Sequence, residues 1–233
     1  MGIKIGCAAW TWTEPAHNPP YEEAIKSIGE LGFDGIELIL RDFEDVENYW
    51  TKDKRKEIKS MVDYYGLQVS QFAMFQNVMD GLASLEEEKK NRSIEAFKNG
   101  CEISADLGCD IVNFVSPWPS TVTAPNSYLP EYYYINVPGV DPRIRALQVF
   151  QTKLKYTFPK PFDWERYWSS HVDAVRKVAQ IAKQYGFKLA IENHANTMTP
   201  HTDSILRLCE EVGEENVGAN LDTVWAYLQR ENL

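Results

Sequence analysis

Glu192 and His194 stand two residues apart at the end of KLAIENHANT, Lys188 to Thr197, which begins as an apolar strand and then turns polar. Side chains i and i+2 of an extended chain point to the same side, so a strand persisting to that end would present a carboxylate and an imidazole together. A second apolar run, GANLD, also finishes on a carboxylate, Asp222. Carboxylates converging from neighbouring strand ends, with an imidazole beside them, make an oxygen-rich cage suited to a divalent cation such as Mn²⁺, Mg²⁺ or Co²⁺. The same residues have a plainer reading. An Asp or Glu at a strand end is often a helix cap or an ion-pair partner, and a histidine there is often satisfied by a backbone carbonyl.

The elements that must position these groups show themselves in a repeated phrase: an amphipathic segment, a glycine, one to three residues, then an apolar run. It occurs at Gly32, Gly66, Gly108, Gly186 and Gly213. Each glycine stands where a helix C-terminus favours a left-handed residue, and each following run has the length and composition of a buried strand. Helix starts agree: Pro20 precedes Tyr21 to Leu31, Ser84 with Glu87 spells a capping box, Asp163 can cap the run carrying Trp168, Val172 and Val175, and Thr199 with Pro200 opens the next. Adding an N-terminal strand at Ile3 to Ala9 gives six strand-helix units, which calls for parallel strands with right-handed crossovers.

The fold class expected is α/β, a (β/α)8 barrel with six of its eight units in residues 1–233. The competing doubly wound sheet usually carries a glycine-rich phosphate loop after its first strand, whereas here that turn reads CAAWTWTEPAHNPP. The glycines lie 34, 42, 78 and 27 residues apart, so about one unit of extra chain follows the fourth strand. That insertion, 116–161, is rich in proline and tyrosine, and is read as a lid, a subunit contact in a homo-oligomer, or a packed surface elaboration.

Composition narrows the function. At 233 residues with 44% apolar content the chain can bury one full core, and 34 acidic against 24 basic residues argue against a nucleic-acid partner. Cys7, Cys101, Cys109 and Cys209 form no CxxC pair and sit in apolar runs, which suits reduced thiols. No stretch approaches the roughly 20 apolar residues of a membrane span, and no signal peptide is evident. A cytoplasmic protein is expected.

At GFDGIEL, LAIENHAN and NVGANLDT the sequence resembles the xylose isomerase-like barrel superfamily, in particular its sugar phosphate isomerase/epimerase branch. The resemblance implies that Glu192 and Asp222 are metal ligands, with Mn²⁺ favoured. It also implies a carbohydrate substrate and proton abstraction beside a carbonyl through an enediolate, with Glu192 as the base and His194 donating to a substrate hydroxyl or oxyanion. The family completes its site with a His on strand seven and a Glu on strand eight, neither of which has a counterpart here, so a fragment of a longer product is expected. Glu37, ending GIEL, is placed to hold a substrate hydroxyl or to pair with a cation. Trp10, Trp12 and Trp118, just past strands one and four, are placed to pack on sugar C–H surfaces or on the core. The alternatives are a lyase of the same barrel, resembling an inosose dehydratase or an enzyme that eliminates the aglycone of a 3-oxo-glycoside, and a non-catalytic domain. The superfamily's DNA-repair endonuclease branch is set aside: it carries a histidine where this chain has Trp225, and only four histidines are present.

Overall fold

The computed structural model describes residues 2–123, 156–229 and 231. Six strands, β1 (Gly6–Ala8), β2 (Gly35–Leu40), β3 (Gln68–Met74), β4 (Ile111–Val115), β5 (Lys188–Glu192) and β6 (Val217–Asn220), pair in chain order, all parallel. Between them run α1 (Glu22–Glu30), the short α2 (Asp45–Asn48), α3 (Lys52–Tyr64), the short α4 (Gln76–Met79), α5 (Glu87–Asp106), α6 (Trp164–Gln184) and α7 (Thr202–Val212), and α8 (Thr223–Leu228) follows β6. This is a parallel sheet with helical crossovers, six units of the expected barrel.

The five repeat glycines all have positive φ, between 68° and 79°, and each ends a helix. The clearest case is Gly213, the left-handed C-cap of α7, whose N–H donates to the Cys209 carbonyl at 3.0 Å. Asp163 caps α6 as expected, its side chain accepting from Arg166 N at 3.1 Å. Two other helix starts differ. Ser84 accepts from Glu86 N at 3.0 Å and so turns the chain ahead of α5, which begins only at Glu87. The N-cap of α7 is His201, whose N–H donates to Ser204 Oγ at 3.1 Å, not Thr199. The first strand is also shorter than the expected Ile3 to Ala9, since Ile3 and Ile5 are 93% and 60% exposed and only Gly6–Ala8 pairs with β2.

Strand side chains alternate between two environments. Ile36, Leu38 and Leu40 of β2, Phe72 of β3, Val112 and Phe114 of β4, and Leu189 and Ile191 of β5 are buried in one core with Ile25 and Ile28 of α1, Ile58 and Val62 of α3, Phe97 of α5 and Val175 of α6. The opposite face carries Glu37, Ile39, Gln71, Ala73, Asn113, Val115, Glu192 and Asn220. One irregularity sets this division on β3. Ile36 pairs with Val69 but Glu37 pairs with Gln71, so Ser70 is an extra residue, and its hydroxyl donates to the Ile36 carbonyl at 3.1 Å. The bulge places Gln71 beside Glu37.

The helical layer sits close against β3. An added Cβ on Gly100 of α5 would lie 2.5 Å from Cε of Met74, the last residue of the strand. Behind β4, Ser116 and His171 are fully buried. Ser116 Oγ lies 3.0 Å from His171 Nε2 and His171 Nδ1 lies 3.1 Å from the Leu82 carbonyl. Burial keeps this imidazole neutral, its pKa lowered to about 4, so Nδ1–H donates to Leu82 and the Ser116 hydroxyl donates to Nε2. The arrangement ties β4 to α6 and to the 3-10 turn Asp80–Ala83. The expected insertion, 116–161, falls largely in 124–155, outside the described residues.

Candidate active site

The C-terminal ends of the strands open into a cavity of about 780 Å³. Barrel enzymes keep their chemistry at this face because each strand-helix loop delivers side chains to it independently. Among its lining residues are Trp10 and His17 from the loop after β1, Phe75 after β3, and Thr223 and Trp225 of α8. Glu37, Glu192, His194 and Asp222 all line it with Trp10, so five of the expected site residues meet in one place.

Glu37 is held by donors on both oxygens: Trp10 Nε1 donates to Oε1 at 2.6 Å and Gln71 Nε2 donates to Oε2. Burial raises its pKa, while the two hydrogen bonds favour the ionised form and oppose that rise. Glu192 takes one such bond, to Oε2 from Asn220 Nδ2 at 2.8 Å, between residues paired in the β5–β6 register. Its carboxyl is pushed up to about 7, first by burial and then by the negative charges of Glu37 and Asp222, with the Asn220 bond pulling the other way.

Asp222 realises the plainer of its two readings and remains on the cavity wall. Its Oδ1 caps α8, accepting from Val224 N at 2.8 Å and Trp225 N at 3.0 Å. Its backbone is clamped to the β5 loop, with Asp222 N donating to Asn193 Oδ1 at 2.7 Å and Asn193 Nδ2 donating to the Asp222 carbonyl at 3.0 Å. β5 ends at Glu192, so the strand does not carry His194 to the same side by simple alternation. Asn193 and His194 lie past the strand and ahead of the turn at Ala195 and Asn196, and the imidazole lines the cavity from that stretch. There it lies 4.0 Å, centroid to centroid, from the Trp225 ring, with Nδ1 2.8 Å from the Ala195 carbonyl. Burial lowers its pKa against the opposing effects of that carbonyl and Asp222.

The two distal tryptophans lie elsewhere. Trp12 is 45% exposed, donates through Nε1 to Cys7 Sγ at 3.3 Å, and lines a separate depression with Glu14, Glu22 and Glu23. Trp118 packs in an aromatic cluster, its ring 5.7 Å from Tyr156 and 5.8 Å from Trp164, and is not among the cavity residues. Gln71, Asn113, Asn220 and His17 are wall residues that sequence reasoning passed over. Asn113 carried a signal, a lone amide inside the apolar run DIVNFV.

A hard divalent cation suits the oxygens of Glu192 and Asp222, and positive charge there would oppose the burial and the negative neighbours that raise the Glu192 pKa. Among the described residues no three His, Cys, Asp or Glu side chains are grouped to hold a metal ion.

The family described as xylose isomerase-like TIM barrel matches residues 25–232. No curated protein matches the chain in sequence. D-psicose 3-epimerase from Clostridium cellulolyticum H10, solved with D-tagatose, is 16% identical with a TM-score of 0.70, over 99% of this chain and 67% of that one. 3-Keto-D-glucoside 4-epimerase from E. coli is 17% identical with a TM-score of 0.66, over 99% and 72% of the two chains. The probable 3-DHS dehydratase of petrobactin synthesis from Bacillus anthracis is 14% identical with a TM-score of 0.66, over 98% and 66%. The chain thus spans about two thirds of the length of these structures, and at such identities the likeness is one of fold.

Proposed function

Because the chain belongs to the xylose isomerase-like TIM barrel family, we propose that it is a carbohydrate isomerase or epimerase that moves a proton beside a carbonyl, with Glu192 as the base. The observation that carries this reading is Glu192 itself. It is a strand-end carboxyl on the cavity wall, held on one oxygen by Asn220 and placed beside the space a substrate would fill, as a proton acceptor must be.

In the proposed step a ketose lies in the cavity with the carbon next to its carbonyl facing Glu192. That carbon's proton passes to the carboxylate, the C–H electron pair forms the C=C bond of an enediolate, and the carbonyl π electrons move onto oxygen. Return of the proton to a different carbon or face completes isomerisation or epimerisation. Glu192 and Asp222 would hold a divalent cation, Mn²⁺ favoured by their oxygen donors, which supplies Lewis-acid polarisation of the carbonyl. Glu37 accepts from a substrate hydroxyl, its orientation fixed by Trp10 and Gln71. His194, held neutral by burial, contacts the substrate and is not a metal ligand. The four cysteines stand unpaired, which suits a cytoplasmic setting, and among the described residues no helix is long and apolar enough to cross a membrane.

Supplied with Mn²⁺ and D-fructose or D-tagatose in D₂O, the protein should incorporate deuterium beside the carbonyl, read by NMR. A metal-loaded protein that exchanges no proton in any of a broad panel of free and phosphorylated ketoses and 3-oxo-glycosides overturns the proposal. A lyase shares the first step, and the fold likeness to the Bacillus anthracis dehydratase favours it as the second reading. Loss of water or aglycone from the deuterated substrate would identify it.

A further inference from the structure

His17 lies in a conformation its residue type seldom adopts. Its φ is 73°, in the left-handed region, where a side chain with a Cβ is strained and where outliers cluster at functional sites. The conformation is enforced from both sides. His17 N donates to the Trp10 carbonyl at 2.9 Å, closing the loop after β1, and the hydroxyl of the fully buried Tyr21 donates to the His17 carbonyl at 3.0 Å. The result is a ring column on the cavity wall. The imidazole stacks on Trp10 at 4.5 Å and 17° between planes, and lies 4.9 Å from the Phe75 ring, near which the Arg41 guanidinium sits at 5.8 Å. Burial and Arg41 lower the pKa of His17 against the Ala16 carbonyl. Both effects favour the uncharged ring.

The Trp10 indole at the inner end of this column donates Nε1–H to Glu37 Oε1 at 2.6 Å. An indole has two side-chain torsions to settle, and a ring against its face removes that freedom. We propose that His17 is a positioning residue: by stacking on Trp10 it fixes the indole N–H on Glu37, and so sets the direction in which that carboxylate meets a substrate hydroxyl. The strained backbone is kept because it brings the imidazole parallel to the indole. The role assigned to Glu37 rests on the isomerase reading; the stacking device does not.

The test separates ring from backbone. His17→Asn keeps a residue tolerant of the left-handed region but removes the ring, whereas His17→Phe keeps a ring at the same position. The protein is labelled with 5-fluorotryptophan, and Trp10→Phe identifies the Trp10 resonance among the seven tryptophans. In His17→Asn the Trp10 signal should move and broaden, with the other signals and the melting temperature unchanged. KM for D-fructose with Mn²⁺ should rise roughly tenfold while kcat stays within about twofold, in line with the worth of an aromatic pair. His17→Phe should restore both. A Trp10 signal unmoved in His17→Asn, or a displaced signal that His17→Phe does not restore in a fully folded protein, overturns the assignment. If neither the wild type nor any variant acts on D-fructose or another ketose, the isomerase reading falls, and the fluorine spectra still decide the role of His17.

Discussion

Glu37 and Glu192 look into one cavity from β2 and β5, and the difference in how they are held separates two uses of the same side chain. Glu37 accepts a hydrogen bond on each oxygen, from an indole and an amide, which fixes its plane and opposes the rise in pKa that burial imposes. Among the described residues Glu192 accepts on one oxygen, from Asn220, and burial together with the negative charges around it favours the proton. A doubly held carboxylate is a fixed acceptor. A singly held one keeps an oxygen on which a proton can arrive and leave.

The largest effect that contrast predicts is on turnover. Glu192→Gln should reduce deuterium exchange by about a thousandfold or more, in the upper range for loss of a positioned base. Glu37→Gln should leave exchange measurable, with kcat/KM down about ten- to a hundredfold, chiefly through KM, because only a hydroxyl acceptor is weakened. Steady-state kinetics of the two variants side by side decides the matter. The reverse ranking would exchange the roles.

Stability against pH probes the same difference without substrate. The Glu192 carboxyl rises from 4.5 to about 7 on folding, so between those values the folded state binds more protons than the unfolded one. Stability of the metal-free protein should therefore fall as pH rises through that window, by about 3 kcal/mol at most from this group. Asp80, raised by burial to about 6, adds a smaller slope of the same sign. Urea unfolding at pH 5 and pH 8 should show Glu192→Gln losing the Glu192 component, and Glu37→Gln losing its own burial-raised component together with part of that of Glu192, since removing that negative neighbour lowers the Glu192 pKa. An unchanged slope in Glu192→Gln would show that folding does not raise this carboxyl.

The smallest effect concerns one donor. Gln71→Leu leaves Trp10 on Glu37 and removes a single hydrogen bond, so it should cost about 1 kcal/mol, seen as a few-fold rise in KM with kcat retained. A loss as large as that of Glu37→Gln would mean that Gln71 touches substrate itself.

Much of this architecture could be read along the chain because it depends on local chemistry. Gly32, Gly66, Gly108, Gly186 and Gly213 mark helix ends through their own backbone freedom, and Asp163 caps α6 through its own carboxyl. Glu192, Asp222, Glu37 and His194 could be gathered because barrel strand ends converge whatever lies between them. What could not be read depended on side-chain paths and register. Trp12 and Trp118 follow strands one and four, but nothing local says which way a loop folds, and one turns to Cys7 and the other to Tyr156 and Trp164. Gln71 was hidden by the bulge. Counting by twos from the core residue Val69 sends it to the helical face, and only the extra residue Ser70 turns it to the cavity. His194 reaches the site from irregular chain between the end of β5 at Glu192 and the turn at Ala195, which strand alternation alone does not describe. His17 carried no pattern, since its place depends on a left-handed backbone enforced by Tyr21.

Gly100 never touches the cavity, yet it sets how closely the helical layer approaches the strand behind it. Met74 pairs with the core residue Leu40 and its side chain fills the seam between β3 and α5, with Cε where an alanine methyl at position 100 would need to be. Any larger residue there must push aside Sδ and Cγ as well as Cε, or part helix from strand. For a protein engineer, position 100 is thus closed to side chains: the strand that carries Gln71 to the cavity is seated against a residue that has none.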